Sequence, residues 1–265
     1  MLRYEQRGVQ TSMAYIVAVT NQKGGVGKTT TAVNVAAQLA TAKRRVVLVD
    51  LDPQGNATSS LGIAKDELTK TLYDALLGMA SVKEIILPTR IKNLFILPTN
   101  AGLAQAEVDL VNVAKRETRL ADLLTAINAD IIIIDCPPAL GLLTVNALTA
   151  ADGVLIPVQA EYFALEGLSQ LLQTIQLVRQ GLNQRLKLFG VVLTMFTKRT
   201  VLSEQVKAEV IQHFGDKVFH TVIPRNIRLA EAPSYGKTIY EHDKWSKGGR
   251  AYKMLTQEIV DRAGL

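Results

Sequence analysis

Lys23-Gly24-Gly25-Val26-Gly27-Lys28-Thr29-Thr30 follows the apolar stretch Tyr15–Thr20 and precedes Lys28–Ala42, whose apolar residues recur at helical spacing. A buried strand that runs into a glycine-rich loop and then a helix is the context a phosphate loop requires. The glycines let backbone N–H groups converge on phosphate oxygens without Cβ clashes. The helix N-terminus adds partial positive charge. Lys28 is placed to reach the β- and γ-phosphates, and the Thr29 hydroxyl to ligate magnesium. Lys23, Gly24, Gly25, Val26, Gly27 and Thr30 complete the expected cradle, and Asn21 and Gln22 shape its entry. The expected cofactors are ATP and Mg2+. The plainer alternative is a glycine turn that binds nothing, and Gly-Lys-Thr at a helix start argues against it.

Further strands are expected at Arg45–Val49, Leu94–Pro98, Ile131–Asp135, Gly153–Val158, Leu186–Thr194 and Val218–Ile223. Helical periodicity marks Lys115–Asn128, Leu142–Ala150, Glu161–Gln180, Ser203–Phe214 and a closing helix at Gly248–Ala263. Strands and helices that alternate this way predict an α/β fold, a mostly parallel twisted sheet flanked by helices on both faces. Ile131–Ile134 is four isoleucines in a row. Nothing alternates there, so both sides of that strand are expected to be buried.

Two strands end in acids on the side where a ligand crevice opens. Val46–Val49 leads into Asp50-Leu51-Asp52-Pro53-Gln54-Gly55-Asn56, and Ile131–Ile134 into Asp135-Cys136-Pro137-Pro138. Such carboxylates can orient an attacking water or support a magnesium shell. A strand-ending turn or helix cap is the bland reading of each.

The chain has 265 residues with 48% hydrophobic and only 5% aromatic content, which suits one domain with a Val/Ile/Leu-rich sheet. Cys136 is the only cysteine, so no intramolecular disulfide can form and a reducing cytoplasm is expected. It reads as a small buried thiol. No apolar run reaches membrane-spanning length, and no membrane association is expected. Residues 1–12 are expected to be a disordered extension ahead of a domain at 13–265, with Met13 a candidate start. The net charge of +6 lies wholly in residues 181–265, where 14 Lys and Arg face 8 Asp and Glu. A basic surface there is a candidate polyanion contact, against the alternative of a plain solvated face. His213, His220 and His242 are dispersed and suggest no catalytic set.

The phosphate loop departs from the common pattern at Lys23, where glycine usually stands. In this it resembles the deviant loop of the superfamily that holds ParA, MinD and the nitrogenase iron protein. The resemblance covers most of residues 14–250. It includes Gln159-Ala160-Glu161-Tyr162-Phe163-Ala164-Leu165-Glu166-Gly167 and the block Pro224-Arg225-Asn226-Ile227-Arg228-Leu229-Ala230-Glu231-Ala232-Pro233, both similar to Soj-type ParA proteins. It implies that Lys23 crosses a dimer interface to the partner's nucleotide, acting as an arginine finger does. It also implies that Asp52 positions the attacking water and that Asp135 holds magnesium through a water. Asp50 supports the magnesium shell or a switch, and Pro224 and Asn226 line an adenine pocket. It places DNA contacts at Arg199 and Arg228. Lys198, Lys237, Lys247 and Arg250 cluster with them, expected to bind phosphates without reading bases.

The implied function is an ATP-dependent DNA-partitioning ATPase associated with the nucleoid. Its expected partners are a second copy of itself on ATP binding, non-specific double-stranded DNA and a ParB/Spo0J-like protein that triggers hydrolysis. A lone cysteine argues against the nitrogenase type, which shares a cluster held by two cysteines per subunit. A last helix with as many acids as bases argues against a membrane-lying MinD type. The alternative is a nucleoid-based positioning ATPase with a protein-complex cargo. A small-molecule kinase or ligase is disfavoured, since no substrate-binding insertion is evident.

Overall fold

The computed structural model describes residues 14–161, 167–198 and 200–264. The expected N-terminal extension therefore lies outside the described residues, as do Arg199 and Tyr162 to Glu166. At the centre is a seven-stranded sheet in the order β3-β4-β2-β5-β1-β6-β7. Its strands are β1 (Tyr15–Val19), β2 (Val46–Asp50), β3 (Leu87–Pro88), β4 (Leu94–Leu97), β5 (Ile131–Asp135), β6 (Gly153–Gln159) and β7 (Lys187–Thr194). All neighbours pair parallel except β3 with β4.

The isoleucine run shows why β5 sits in the middle. Ile132 and Ile134 join one buried cluster with Val47 and Val49 of β2. Ile131 and Ile133 join a second, with Val46 and Leu48. Two cores therefore lie on opposite faces of the sheet, and every residue of β2 and β5 is buried. Each such side chain contributes roughly 1.5–3 kcal/mol on burial. No residue of these strands is spared for solvent, so the pattern cannot alternate.

The helices Lys28–Thr41, Leu142–Ala150, Val201–Phe214 and Lys247–Ala263 fall close to their expected spans, while the helix expected from Glu161 begins at Leu168, with residues 162–166 outside the described residues. Two expectations fail. Lys115–Asn128 shortens to Arg119–Leu124. Lys115 adopts a left-handed φ of 55°, which a helix interior does not accept. Asn146 then closes the start, its Oδ1 accepting from Leu120 N at 3.1 Å and its Nδ2 donating to Arg116 O at 2.8 Å.

Val218–Ile223 is not a strand. It meets β7 through one isolated bridge, Val191 with Val218, and through Phe219 N and Ile223 N, which donate to Val191 O and Leu193 O at 2.9 and 2.8 Å. The closing helix takes the amides between those two, which interrupts the ladder. Glu258 accepts the N–H groups of His220 and Thr221 at 2.9 and 2.8 Å, and Arg262 donates to Lys217 O at 2.9 Å. Short helices at Asn56–Ser60, Leu72–Leu76, Val82–Ile85, Ile227–Glu231 and Ile239–Asp243 had no counterpart in the reading of the sequence.

Candidate nucleotide site

The phosphate loop leaves β1 and enters the helix Lys28–Thr41 over the carboxyl end of the sheet. Gly25 and Gly27 have φ of +74° and +87°, which explains why glycine is needed at both. Gly24 and Gly25 are exposed. Two strands brace the loop from below. Asn21 Nδ2 donates to Pro157 O of β6 at 2.7 Å, and its Oδ1 accepts from Lys23 N at 3.0 Å. Thr194 Oγ1, at the end of β7, donates to Val26 O at 2.8 Å.

The two lysines are held differently. Lys28 is buried, and its Nζ donates to the Lys23 carbonyl at 3.0 Å. Burial lowers its pKa, against the opposing pull of the Asp135 and Asp52 carboxylates. Lys23 is half-exposed and turns away from the loop, with Nζ 3.8 Å from Glu161 Oε2. Arg225 reaches the other oxygen of Glu161 at 3.5 Å, and Gln159 Nε2 donates to it at 2.5 Å. An exposed pair of this kind is worth about 0–1 kcal/mol, so Lys23 is lightly tethered.

Beneath the loop lie the strand-end acids. Asp50 is fully buried, and its Oδ2 accepts from Thr58 N at 2.7 Å and Thr58 Oγ1 at 2.6 Å. Its other oxygen has no partner, and neither oxygen of the buried Asp135 has one. Desolvation pushes the Asp50 carboxyl up to about 7, with the Asp52 charge adding to it. Asp135 is raised well above the carboxylate range, first by burial and then by the Asp50 charge. Asp52 lies in a turn, its Oδ1 accepting from Gln54 N at 3.0 Å.

Three buried carboxylate oxygens without donors are costly unless a cation meets them. They fit a magnesium ion, which commonly takes one or two protein oxygens and completes its shell from phosphates and water. No set of three or more His, Cys, Asp or Glu is grouped to hold a metal among the described residues.

Pro224 bridges Phe196, and Asn226 stands two residues further on. Asn226 Oδ1 is buried without a partner. Of the basic residues, Lys198, Lys237, Lys247 and Arg250 are exposed. Arg228 is paired within the chain, with Glu231 at 2.9 Å and Asp243 at 3.9 Å. The reading of the sequence missed Thr58, Thr194 and Glu161 as site residues. Glu161 stood inside a quoted family stretch, but its contact with Lys23 spans 138 positions, and no local pattern reveals it.

A family model described as an AAA domain matches residues 14–188. The chain is 54% identical over 259 residues to a Myxococcus xanthus protein named chromosome partitioning protein ParA, covering 97% of this chain and 91% of that one. It is 56% identical over 250 residues to the Bacillus subtilis sporulation initiation inhibitor protein Soj, covering 94% and 99%. A crystal structure described as cobyrinic acid a,c-diamide synthase from Mycobacterium smegmatis, with a bound ATP analogue and magnesium, superposes with a TM-score of 0.84. It is 38% identical and covers 95% of this chain and 96% of that one.

Proposed function

We propose that this chain, which belongs to the ParA/Soj family of chromosome-partitioning ATPases, works as a nucleotide-driven switch on DNA. ATP binding joins two copies face to face, the joined pair holds duplex DNA without reading its bases, and hydrolysis on contact with a ParB-like protein releases it. The observation that carries this reading is the contrast between the two lysines. Lys28 is folded back onto its own loop, while Lys23 is half-exposed and only lightly held.

Each residue then has a part. Gly24, Gly25, Val26 and Gly27 present backbone N–H groups to the phosphates, and Lys28 and Thr29 face the β- and γ-positions. Thr30 continues the helix start, and Pro224 and Asn226 hold the base. Magnesium, when bound, would neutralise charge on the phosphates. Thr29 would ligate it, while Asp135 and Asp50 would balance its charge from below. Asp52 orients a water toward the γ-phosphate. Lys23 of one copy reaches the other's nucleotide and offsets charge that develops in transfer. Lys198, Arg199, Arg228, Lys237, Lys247 and Arg250 meet DNA phosphates.

A second reading, activation of an organic acid, comes from the Mycobacterium smegmatis structure named for a synthase. That likeness is 38% identical, against 54 and 56% for the relatives named ParA and Soj. The deciding experiment measures duplex-DNA binding without nucleotide, with ADP, and with ATP under non-hydrolysing conditions, across a salt series. Sequence-independent binding only with ATP, weakening steeply with salt, is expected. Absence of binding in every state would overturn the DNA role and favour a protein cargo.

A further inference from the structure

We propose that Trp245 is a nucleic-acid contact, forming with Lys244, Lys247 and Arg250 an aromatic and cationic site that grips DNA by ring contact as well as by charge. The proposal rests on the DNA-binding reading above and assigns that face a residue the basic patch alone does not include.

Trp245 is the only tryptophan in the chain and is 75% exposed. A solitary exposed apolar side chain means little by itself. Here the backbone that carries it is fixed. Asp243 Oδ1 accepts from Trp245 N at 3.1 Å and from Ser246 N at 3.0 Å. Ser246 Oγ accepts from Gly249 N at 3.0 Å, capping the helix Lys247–Ala263, and donates to Asp243 O at 2.8 Å. Gly249 leaves no slack: a Cβ there would stand 2.7 Å from Lys244 O. A large ring on a rigid support loses little freedom when a partner covers it, which is the property of an anchor residue.

The surroundings define the partner's chemistry. Lys244 Nζ lies 5.3 Å from the Trp245 ring and 5.9 Å from that of Tyr240, which is also exposed. Lys247 and Arg250 are exposed on the first turns of the following helix and form no ion pair among the described residues. The nearby acid, Asp243, is taken up by backbone amides and by Arg228 at 3.9 Å. The partner must therefore offer dense negative charge beside flat, weakly polar surface. Arg228 connects this junction to the helix Ile227–Glu231, so the aromatic site adjoins the basic face already described.

Ring contact and phosphate contact differ in their response to salt. Only the second releases counterions. The test uses the full chain with ATP under non-hydrolysing conditions and a mixed-sequence duplex oligonucleotide, reading tryptophan fluorescence and affinity across a salt series. All tryptophan signal belongs to Trp245. DNA should change that signal. Trp245→Ala should weaken binding by about fivefold with the salt slope unchanged, no more than the low end of ring contact with unstacked bases, because a duplex offers the ring sugars and groove edges. Trp245→Phe should keep most of the affinity. Lys247→Ala should instead lower the slope by about one.

Wild-type DNA binding that persists with unchanged fluorescence, and with Trp245→Ala binding normally, overturns this proposal and leaves the partitioning reading intact. A wild type that binds no DNA in any state overturns both. A Trp245→Ala protein that binds DNA normally but loses stimulation by a partner protein assigns the ring to that partner, and also overturns it.

Discussion

Asp50 and Asp135 are register partners, the last residues of the adjacent parallel strands β2 and β5. The same register that stacks four buried aliphatic pairs below them brings two carboxylates together at the end of the sheet, under the phosphate loop. One is tied to Thr58 through a single oxygen and the other is tied to nothing. The sheet thus gathers two buried carboxyl groups with three unpartnered oxygens at one point, and this is the local feature that a divalent cation would answer.

That pairing has a consequence for pH. In the metal-free protein the Asp50 carboxyl is raised to about 7 by burial. The folded state therefore holds a proton that the unfolded chain releases near pH 4. Stability from this group is present at low pH and is lost as pH rises toward 7. Asp50→Asn removes the titration while keeping an acceptor for Thr58. It should melt above wild type at pH 8, by an amount on the order of 1–4 kcal/mol, and the gap should close toward pH 5. Thermal melts of both proteins at the two pH values check this; a gap that does not change with pH would refute it.

The Asp52 carboxylate accepts one hydrogen bond, from Gln54 N within its own turn. Asp52→Ala should leave nucleotide binding and dimer formation in place while lowering turnover about a hundredfold or more, the usual scale for losing a positioned base. Phosphate release and nucleotide binding, measured side by side, separate the two effects. An active mutant would remove Asp52 from the chemistry.

Gly24 has open space where a Cβ would stand, and its φ is not left-handed. Gly24→Val should therefore fold as the wild type does, bind nucleotide and remain monomeric with ATP. Gly27→Val, at φ +87°, should instead lose stability, because a branched residue is strained there. Melting temperature and light scattering with ATP distinguish the two variants. A Gly24→Val dimer would show that this face does not meet the second copy.

Asn226 Oδ1 is buried without a donor in the chain. Removing it takes away no internal hydrogen bond. Asn226→Ala should lower ATP affinity by about 1–3 kcal/mol, roughly fivefold to a hundredfold, with little change in melting temperature. Calorimetric titration with ATP checks this. Unchanged affinity would place the base elsewhere.

Much of this protein was legible along the chain because its signals are short-range. A β-branched run, three glycines and a Gly-Lys-Thr helix start lie within sixteen residues of Tyr15, and each acts on its neighbours. The uniform isoleucines announced burial on both faces, and the acids after apolar runs marked strand ends. The short helices between Asn56 and Ile85 left weaker marks, such as the capping boxes at Thr71 with Asp74 and Ser81 with Glu84.

Tertiary structure alone decided what depends on pairing between distant segments. Strand order put β5 between β1 and β2, and register set Asp50 beside Asp135. Thr194 came under Val26 and Glu161 beside Lys23 because β6 and β7 end next to the loop. Val218–Ile223 carries the composition of a strand, yet Glu258 and Arg262 of the closing helix take up the backbone groups around it. Composition expresses what a segment can become; which donors and acceptors reach it is settled only when the rest of the chain has packed around it.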